Sequence, residues 1–403
     1  MATIYGKNYG KPSLDLNFAG NKSLIDTTTG TNYVTFSRAQ SGNEATYVGS
    51  DGLIKYASAD EPRFDHDPET LESLGLLVEE LRTNLIIDSE EFAAPISTWT
   101  RSGTSVTSNT TIAPDGTLTA DTVSNTPSQS SWIRPSLSLN TSLTYTITLY
   151  VKPLTTNKII SFEWQGANTF DLSNPGPGVQ TLPNGWYRLT VTKTGVNAGP
   201  AIYIGAYGTT SDSVSFAFWG AQLETGSFPT SYIPTSGSTV TRAADEASIT
   251  GTNFSSWYNQ NEGTLLTTAD YNGNNPGPNN YNMIVEGYSG LSARDFSCNI
   301  GASNPNFTTR YSFTNLDLIP VGGPIPTKTA FKLVGSYSAD GSAAVFNGGL
   351  VKTTGATTSV LTPADAMSIG RRVGSSLFLN GHISRLTYYP KRLPDIELQQ
   401  LTK

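Results

Sequence analysis

Three stretches of this chain bring together residue types that could do chemistry. The first is Asp65-His66-Asp67, an imidazole between two carboxylates, which could supply a general base or a metal ligand. Neighbours in sequence seldom converge on one proton, so the plainer expectation is a surface or interface turn ahead of Pro68. The second is Asp270-Tyr271-Asn272-Gly273-Asn274-Asn275, in which Asp270, Asn272 and Asn274 space their oxygens as a calcium loop would. Its twelfth position is Tyr281 rather than the bidentate Glu of an EF-hand, so that motif fails and a polar loop is the default. The third mixes rings with amides, at Trp257-Tyr258-Asn259, Tyr271-Asn272 and Asn279-Asn280-Tyr281-Asn282. A sugar site needs a ring against the apolar face of a pyranose and amides that reach its hydroxyls. The candidate glycan contacts are therefore Trp257, Tyr258, Tyr271, Asn272, Asn280 and Tyr281. The competing reading packs Trp257 and Tyr258 into a domain junction and makes the Asn-rich loop a spacer or subunit contact.

Signals for catalysis are sparse. His382 sits in an alternating strand near Ser384 and reads as a core or interface histidine, not as part of a triad. No G-x-S-x-G nucleophile motif, phosphate loop or dinucleotide fingerprint occurs. A glycosidase needs two carboxyl groups about 5 to 9.5 Å apart across a cleft. Glu79-Glu80 and Glu90-Glu91 are sequence neighbours, which a strand points to opposite faces. Glu262, Asp270, Glu286 and Asp295 could share one surface, but nothing in their spacing makes them converge. The expectation is a protein that is not an enzyme.

These residues must be positioned by β structure. The 403 residues include 38 Gly and 23 Pro but only 14% charged side chains, a composition suited to many short strands joined by turns. The length allows two or three domains. A net charge of -7 without clustered Lys and Arg argues against nucleic acid. Cys298 is alone, so no intrachain disulfide forms, and with two His there is no Cys/His zinc cluster. The opening MATIYGKNYG lacks the apolar core of a secretory signal and no run is long enough to span a membrane, so cytoplasmic synthesis without membrane insertion is expected.

Along the chain, residues 1–92 read as short strands and an extended arm, with dense turn signals and charge concentrated in Asp60-Glu61-Pro62-Arg63-Phe64-Asp65-His66-Asp67. Residues 93–240 carry five of the six Trp, mostly as core, and alternating strands at Tyr145–Val151 and Trp186–Thr192, the second preceded by the tight-turn pair Asn184-Gly185. Their spacing predicts a β-sandwich or jelly roll. The stretch from Ser215 to Ile249 begins as a half-buried strand, breaks at Gly226, Pro229 and Pro234, and so marks a boundary. Residues 246–403 predict a second all-β module, with an Asn347-Gly348 hairpin and a short closing helix after Pro394.

Two resemblances add to this reading. YSADGSAAVFNGGLV (Tyr337 to Val351), then Ser368-Ile369-Gly370, Phe378-Leu379-Asn380-Gly381-His382-Ile383 and Tyr388-Tyr389-Pro390-Lys391-Arg392-Leu393, resemble the concanavalin A-like, laminin G-like lectin sandwich. By that resemblance calcium is a possible cofactor, with Asp270, Asn272 and Asn274 as its candidate ligands. Ser13 to Ala39, Tyr47 to Ile86 and the FWGAQLETGSFPTSYIPTSGSTVTRAAD stretch resemble modules of bacteriophage virion proteins, especially tail fibres. This second resemblance implies a virion protein that meets other virion proteins through residues 1–92, turns its sandwiches outward and is released by lysis. The combined expectation is an all-β homotrimer whose N-terminal docking region precedes two tandem sandwiches that attach to host cell-surface polysaccharide. Two alternatives stand beside it: an architectural capsid decoration, neck or tail adaptor protein, and a polysaccharide-depolymerising tailspike.

Overall fold

The computed structural model describes residues 10–40, 42, 44–95, 98–127, 130–164, 166–196, 202–206, 213–273, 282–290, 293–301, 305–310, 316–320, 325–354 and 363–403. The all-β expectation holds, and every strand pairing among these residues is antiparallel.

The middle of the chain forms a two-layer sandwich. One sheet runs in the spatial order Val179–Thr181, Tyr187–Thr194, Thr144–Pro153, Ser215–Thr225, Ala120–Asn125, Thr104–Thr111. The other runs Ala167–Asp171, Ile159–Glu163, Tyr203–Ala206, Trp132–Pro135, Trp99–Ser102. Alternation puts Ile147, Leu149, Leu189, Phe216 and Phe218 of the first sheet against Ile133, Ile160, Phe162 and Ile204 of the second. The Asn184-Gly185 pair takes positive φ at both residues, 59° and 76°, and turns the chain back into Tyr187–Thr194 as its sequence predicts.

A second sandwich is completed from both ends of the chain. Its larger sheet runs Lys352–Thr353, Gly341–Phe346, Phe331–Ser338, Gly263–Ala269, Gly381–Tyr389, Ser73–Val78, Phe64–His66. Leu14–Leu16 also pairs with Gly381–Tyr389, at Leu386 to Tyr388, beside the stretch from Gly381 to Ile383 that Ser73–Val78 occupies. The facing sheet begins with Thr35–Ser37 and Glu246–Thr250 and continues through Ala366–Ile369, Asn282–Ser289 and Ala293–Ile300 to Pro305–Arg310 and Leu316–Pro320. One core fills the space between them, drawing Leu14, Leu16, Phe18, Leu76 and Val78 from the N-terminal segment and Ile284, Met367, Leu386 and Tyr388 from the other end. The helix Asp395–Leu401 covers the outer face with Leu398 and Leu401. Asn347 and Gly348 take positive φ, 44° and 69°, but the return strand starts only at Lys352, so the hairpin is wider than its sequence suggests.

The N-terminal segment therefore packs on the sandwiches, and the strand pairing crosses the boundary expected at residue 92. Strand pairing assigns residues 14–16, 35–37, 64–66 and 73–78 to the C-terminal sandwich. The hairpin Ala45–Val48/Ile54–Ala57 lies instead on the middle sandwich, where Ile54 packs with Tyr150, Trp186, Trp219 and Tyr232. Arg82–Asn84 pairs with Val240–Arg242, so the linkers on either side of the middle sandwich run together. Among the described residues, no helix is long and apolar enough to cross a membrane.

Candidate functional site

Where these parts meet, two polar centres form, one sealed and one open. The sealed centre is an ion network of Arg38, Arg63, Glu79, Arg242 and Asp245, each with a side chain 0–2% exposed. Arg63 Nη2 pairs with Asp245 and lies 2.9 Å from Glu79 Oε2. Arg38 Nη1 lies 2.9 Å from Asp245 Oδ1, and Arg242 Nη2 lies 3.4 Å from Glu79 Oε2. Burial pushes the Glu79 carboxyl up, but Arg242, Arg63 and hydrogen bonds from Ser231 outweigh it and hold the group at about 2. Ser231 belongs to the turn-rich stretch after Gly226, so this centre joins the N-terminal segment, the middle sandwich and the linker into the second sandwich.

The open centre is a cavity of about 140 Å³ between the two sandwiches, walled by Asp65, His66, Arg188, Asp270, Lys328 and His382 among others. His382 divides its ring between two carboxylates: Nδ1 is 2.8 Å from Asp270 Oδ1 and Nε2 is 2.9 Å from Asp65 Oδ2. Burial alone would lower the pKa of His382, but Asp270 first and Asp65 second push it up to about 10. The ring is then an imidazolium with both hydrogens donated. It holds no lone pair for a general base, and the neighbouring Ser384 hydroxyl donates to the Thr268 carbonyl instead. The arrangement is a lock between Phe64–His66 and the end of Gly263–Ala269.

The Asp65-His66-Asp67 cluster comes apart as strand geometry requires. Asp65 goes to His382 and to the Val48 amide, His66 Nδ1 meets the Val48 carbonyl at 3.0 Å, and Asp67 accepts from the amides of Glu69 and Thr70. Sequence reading found each residue but not the pairing of Asp65 with His382, because the two lie 317 positions apart. The other acids also part company: Glu262 accepts from the Arg392 amide, Glu286 pairs with Arg372 at 2.9 Å, and Glu80 pairs with Arg82 at 2.6 Å. The side chain of Asp295 lies outside the described residues.

Three of the expected glycan contacts face inward. Trp257 is 4% exposed, edge-on to Phe254 and Tyr388 at ring separations of 4.9 and 5.1 Å. Tyr258 lies against Phe254 and stacks on Phe296, and Tyr271 is buried with its hydroxyl donating to the Ile325 carbonyl at 2.6 Å. These rings are core, which corrects their assignment to a sugar site. The signal was present: Phe254, Trp257 and Tyr258 have the i, i+3, i+4 spacing of one inward helical face, and Thr252–Ser255 is a helical turn. As for the calcium loop, Asp270 spends its carboxylate on His382, and the backbone N–H of Asn272 donates to the Asn380 carbonyl, continuing the sheet. Asn274, Asn280 and Tyr281 lie outside the described residues.

An aromatic surface that the sequence reading did not single out lies on the middle sandwich. Of the six Trp, Trp132 alone is not buried. Ile133 pairs with Ile204 in the core, so alternation turns Trp132, Arg134 and Tyr203 to the outer face of their sheet. The rings of Trp132 and Tyr203 meet at 4.7 Å, and the Arg134 guanidinium sits 5.6 Å from each. The flanking residues give no signal for it: Ser131 and Arg134 lie beside Trp132, but Thr98, Thr100 and Arg101 lie as close to Trp99, which is wholly buried.

No protein-family model matches the chain, and no curated relative does. Similar solved structures include the CBM40 module of the Ruminococcus gnavus IT-sialidase bound to alpha2,3 sialyllactose, at 17% identity and TM-score 0.31, covering 37% of this chain and 86% of the module. A botulinum neurotoxin type C structure, described for its interaction with two ganglioside molecules, shares 12% identity at TM-score 0.30 over 40% of each chain. A SAP-like pentraxin from Limulus polyphemus shares 12% identity at TM-score 0.28, over 35% of this chain and 70% of the pentraxin. Likenesses this partial say nothing of a ligand, and the two-layer architecture stands on the strand pairing and the cores it encloses.

Proposed function

We propose that this chain is a non-enzymatic structural protein of a bacteriophage virion appendage. In this reading it is made in the host cytoplasm, assembles as a homotrimer, docks to other virion proteins on its N-terminal side and attaches to host-surface glycans. The sequence modules carry the viral part of the reading. The Trp132–Tyr203–Arg134 surface carries the binding part: two rings and a guanidinium on an open sheet face offer a stacking platform with hydrogen-bond donors beside it. The saturated His382 favours binding over bond cleavage.

A glycan array with the wild type and Trp132→Ala tests the reading. Loss of a central stacking ring costs about 2 kcal/mol, roughly thirtyfold in affinity, and because the other Trp are buried, ligand should also shift the tryptophan fluorescence. An array on which wild type and variant are both blank would remove the glycan role. The inward packing of Trp257, Tyr258 and Tyr271 favours the alternative, an architectural adaptor, for which labelled protein would decorate particles but bind no polysaccharide. Light scattering tests the trimer, and a monomer at micromolar concentration would overturn it.

A further inference from the structure

Arg134, on the Trp132 platform, is set apart by what it does not meet. Every other arginine whose side chain is described pairs with a carboxylate, as Arg38 does with Asp245, or donates to a backbone carbonyl, as Arg101 does to Phe92. Arg134 is half-buried and does neither. Among the described residues its guanidinium meets only the rings of Trp132 and Tyr203, 5.6 Å from each centroid. Face-on contact brings atoms to about 3.5–4.0 Å, so the guanidinium stands toward the rim of both rings, with five N–H donors and no acceptor.

Strand register fixes its surroundings. Ile133 pairs with Ile204, so Arg134 stands opposite Tyr203, and Trp132 stands opposite Gly205, a position without a side chain. Glu163 lies opposite Tyr203 on the next strand, two strand spacings or about 10 Å from Arg134. That is too far for an ion pair, and salt screens the attraction that is left. Asp171, which the register puts farther out on the same face, accepts from the Ser173 amide and hydroxyl.

One cation beside two rings is too little charge for a phosphate backbone, which needs clustered Lys and Arg. It suits a single carboxylate, because the guanidinium fork takes both oxygens at once. The pyranose that carries the carboxylate has an apolar face for the neighbouring ring. We propose that the Trp132–Tyr203–Arg134 platform takes an acidic saccharide, a uronate or ulosonate unit whose carboxylate pairs with Arg134 while its ring stacks on Trp132. The inference rests on the glycan-attachment reading and names the class of sugar for that surface.

The test titrates the full chain with galacturonate and glucuronate oligosaccharides and a 3-deoxyoctulosonate disaccharide. Each is set beside its carboxyl-reduced counterpart, in which a hydroxymethyl group replaces the carboxylate, and binding is read by tryptophan fluorescence and saturation-transfer NMR. At least one acidic probe should bind about tenfold more tightly than its reduced counterpart. Arg134→Gln should erase that difference and leave the weaker neutral binding, while Arg134→Lys, which keeps the charge without the fork, should retain only part of it. Glu163→Gln removes a like charge from the same row and should raise the affinity for the acidic probe about twofold at low salt. Near-ultraviolet circular dichroism checks that each variant stays folded. Equal binding of every acidic probe and its reduced counterpart, or a folded Arg134→Gln variant that keeps the preference, would overturn the inference. If neutral saccharides bind and respond to Trp132→Ala without any preference for acid, glycan attachment stands and the acidic class falls. If no saccharide of either kind binds, the attachment reading itself falls and takes this inference with it.

Discussion

His382 joins the N-terminal segment to the C-terminal sandwich, and its contribution depends on charge. Its pKa rises from 6.5 to about 10 on folding. A raised pKa means that the folded state holds the proton more tightly, so the stabilisation is complete below 6.5 and disappears as pH rises toward about 10. The melting temperature should therefore fall across that interval, and His382→Gln should melt lower than wild type at neutral pH and lose most of this alkaline slope. Removing one member of a buried pair costs about 3–5 kcal/mol. A His382→Gln melting curve that keeps the wild-type slope would show that another group sets it. Glu79 acts in the opposite sense. Its pKa falls from 4.5 to about 2, so its contribution is complete above 4.5 and is lost as pH drops toward about 2.

At the scale of elements, the strand Gly381–Tyr389 decides how the chain is assembled, because one edge of it receives both Leu14–Leu16 and Ser73–Val78. A fragment of residues 246–403 would leave that edge unpaired and uncover the core positions that Leu14, Leu16, Phe18, Leu76 and Val78 fill. It should aggregate or lack near-ultraviolet circular dichroism, whereas a soluble, fully structured fragment would mean that the N-terminal strands are dispensable. The approach is close at Gly75, with φ of 102°, where a Cβ would stand 2.3 Å from the Ile383 carbonyl oxygen. Gly75→Ala should cost about 1–3 kcal/mol by chemical denaturation, and more if the strands separate. This pairing was not legible in the sequence. Asn184-Gly185 and Asn347-Gly348 reveal their turns because the requirement for positive φ is local to two residues. The alternation of Tyr145 to Val151 shows a face for the same reason. Nothing in Ser73–Val78 says that its neighbour begins at Gly381, since pairing across three hundred residues leaves no period in either strand. The same distance hides the contact of Asp65 with His382, and the charged run from Asp60 to Asp67 reads as a surface or interface turn with no sign that Arg63 is wholly buried.

At the scale of the whole molecule, the buried ions determine whether the two sandwiches behave as one body. Tandem domains joined by a linker ordinarily unfold separately. Here Arg63 reaches Glu79, Asp245, the Thr46 carbonyl and the Ser231 hydroxyl, so one guanidinium touches the N-terminal segment, the entry to the second sandwich and the stretch that packs on the first. The hairpin carrying Thr46 adds the apolar contacts of Ile54 to the same junction. Unfolding either sandwich alone would take partners away from ions that stay buried in the other, and an uncompensated buried charge costs about 3–5 kcal/mol, which couples the two. Calorimetry of the full chain should show a single transition near neutral pH. Arg63→Met keeps the volume but leaves Glu79 and Asp245 short of a cation, and it should lower stability by about 3–5 kcal/mol and split the transition in two. A wild-type trace with two independent transitions, or an Arg63→Met trace that remains single and unshifted, would mean that apolar packing at the junction couples the sandwiches without help from the ions.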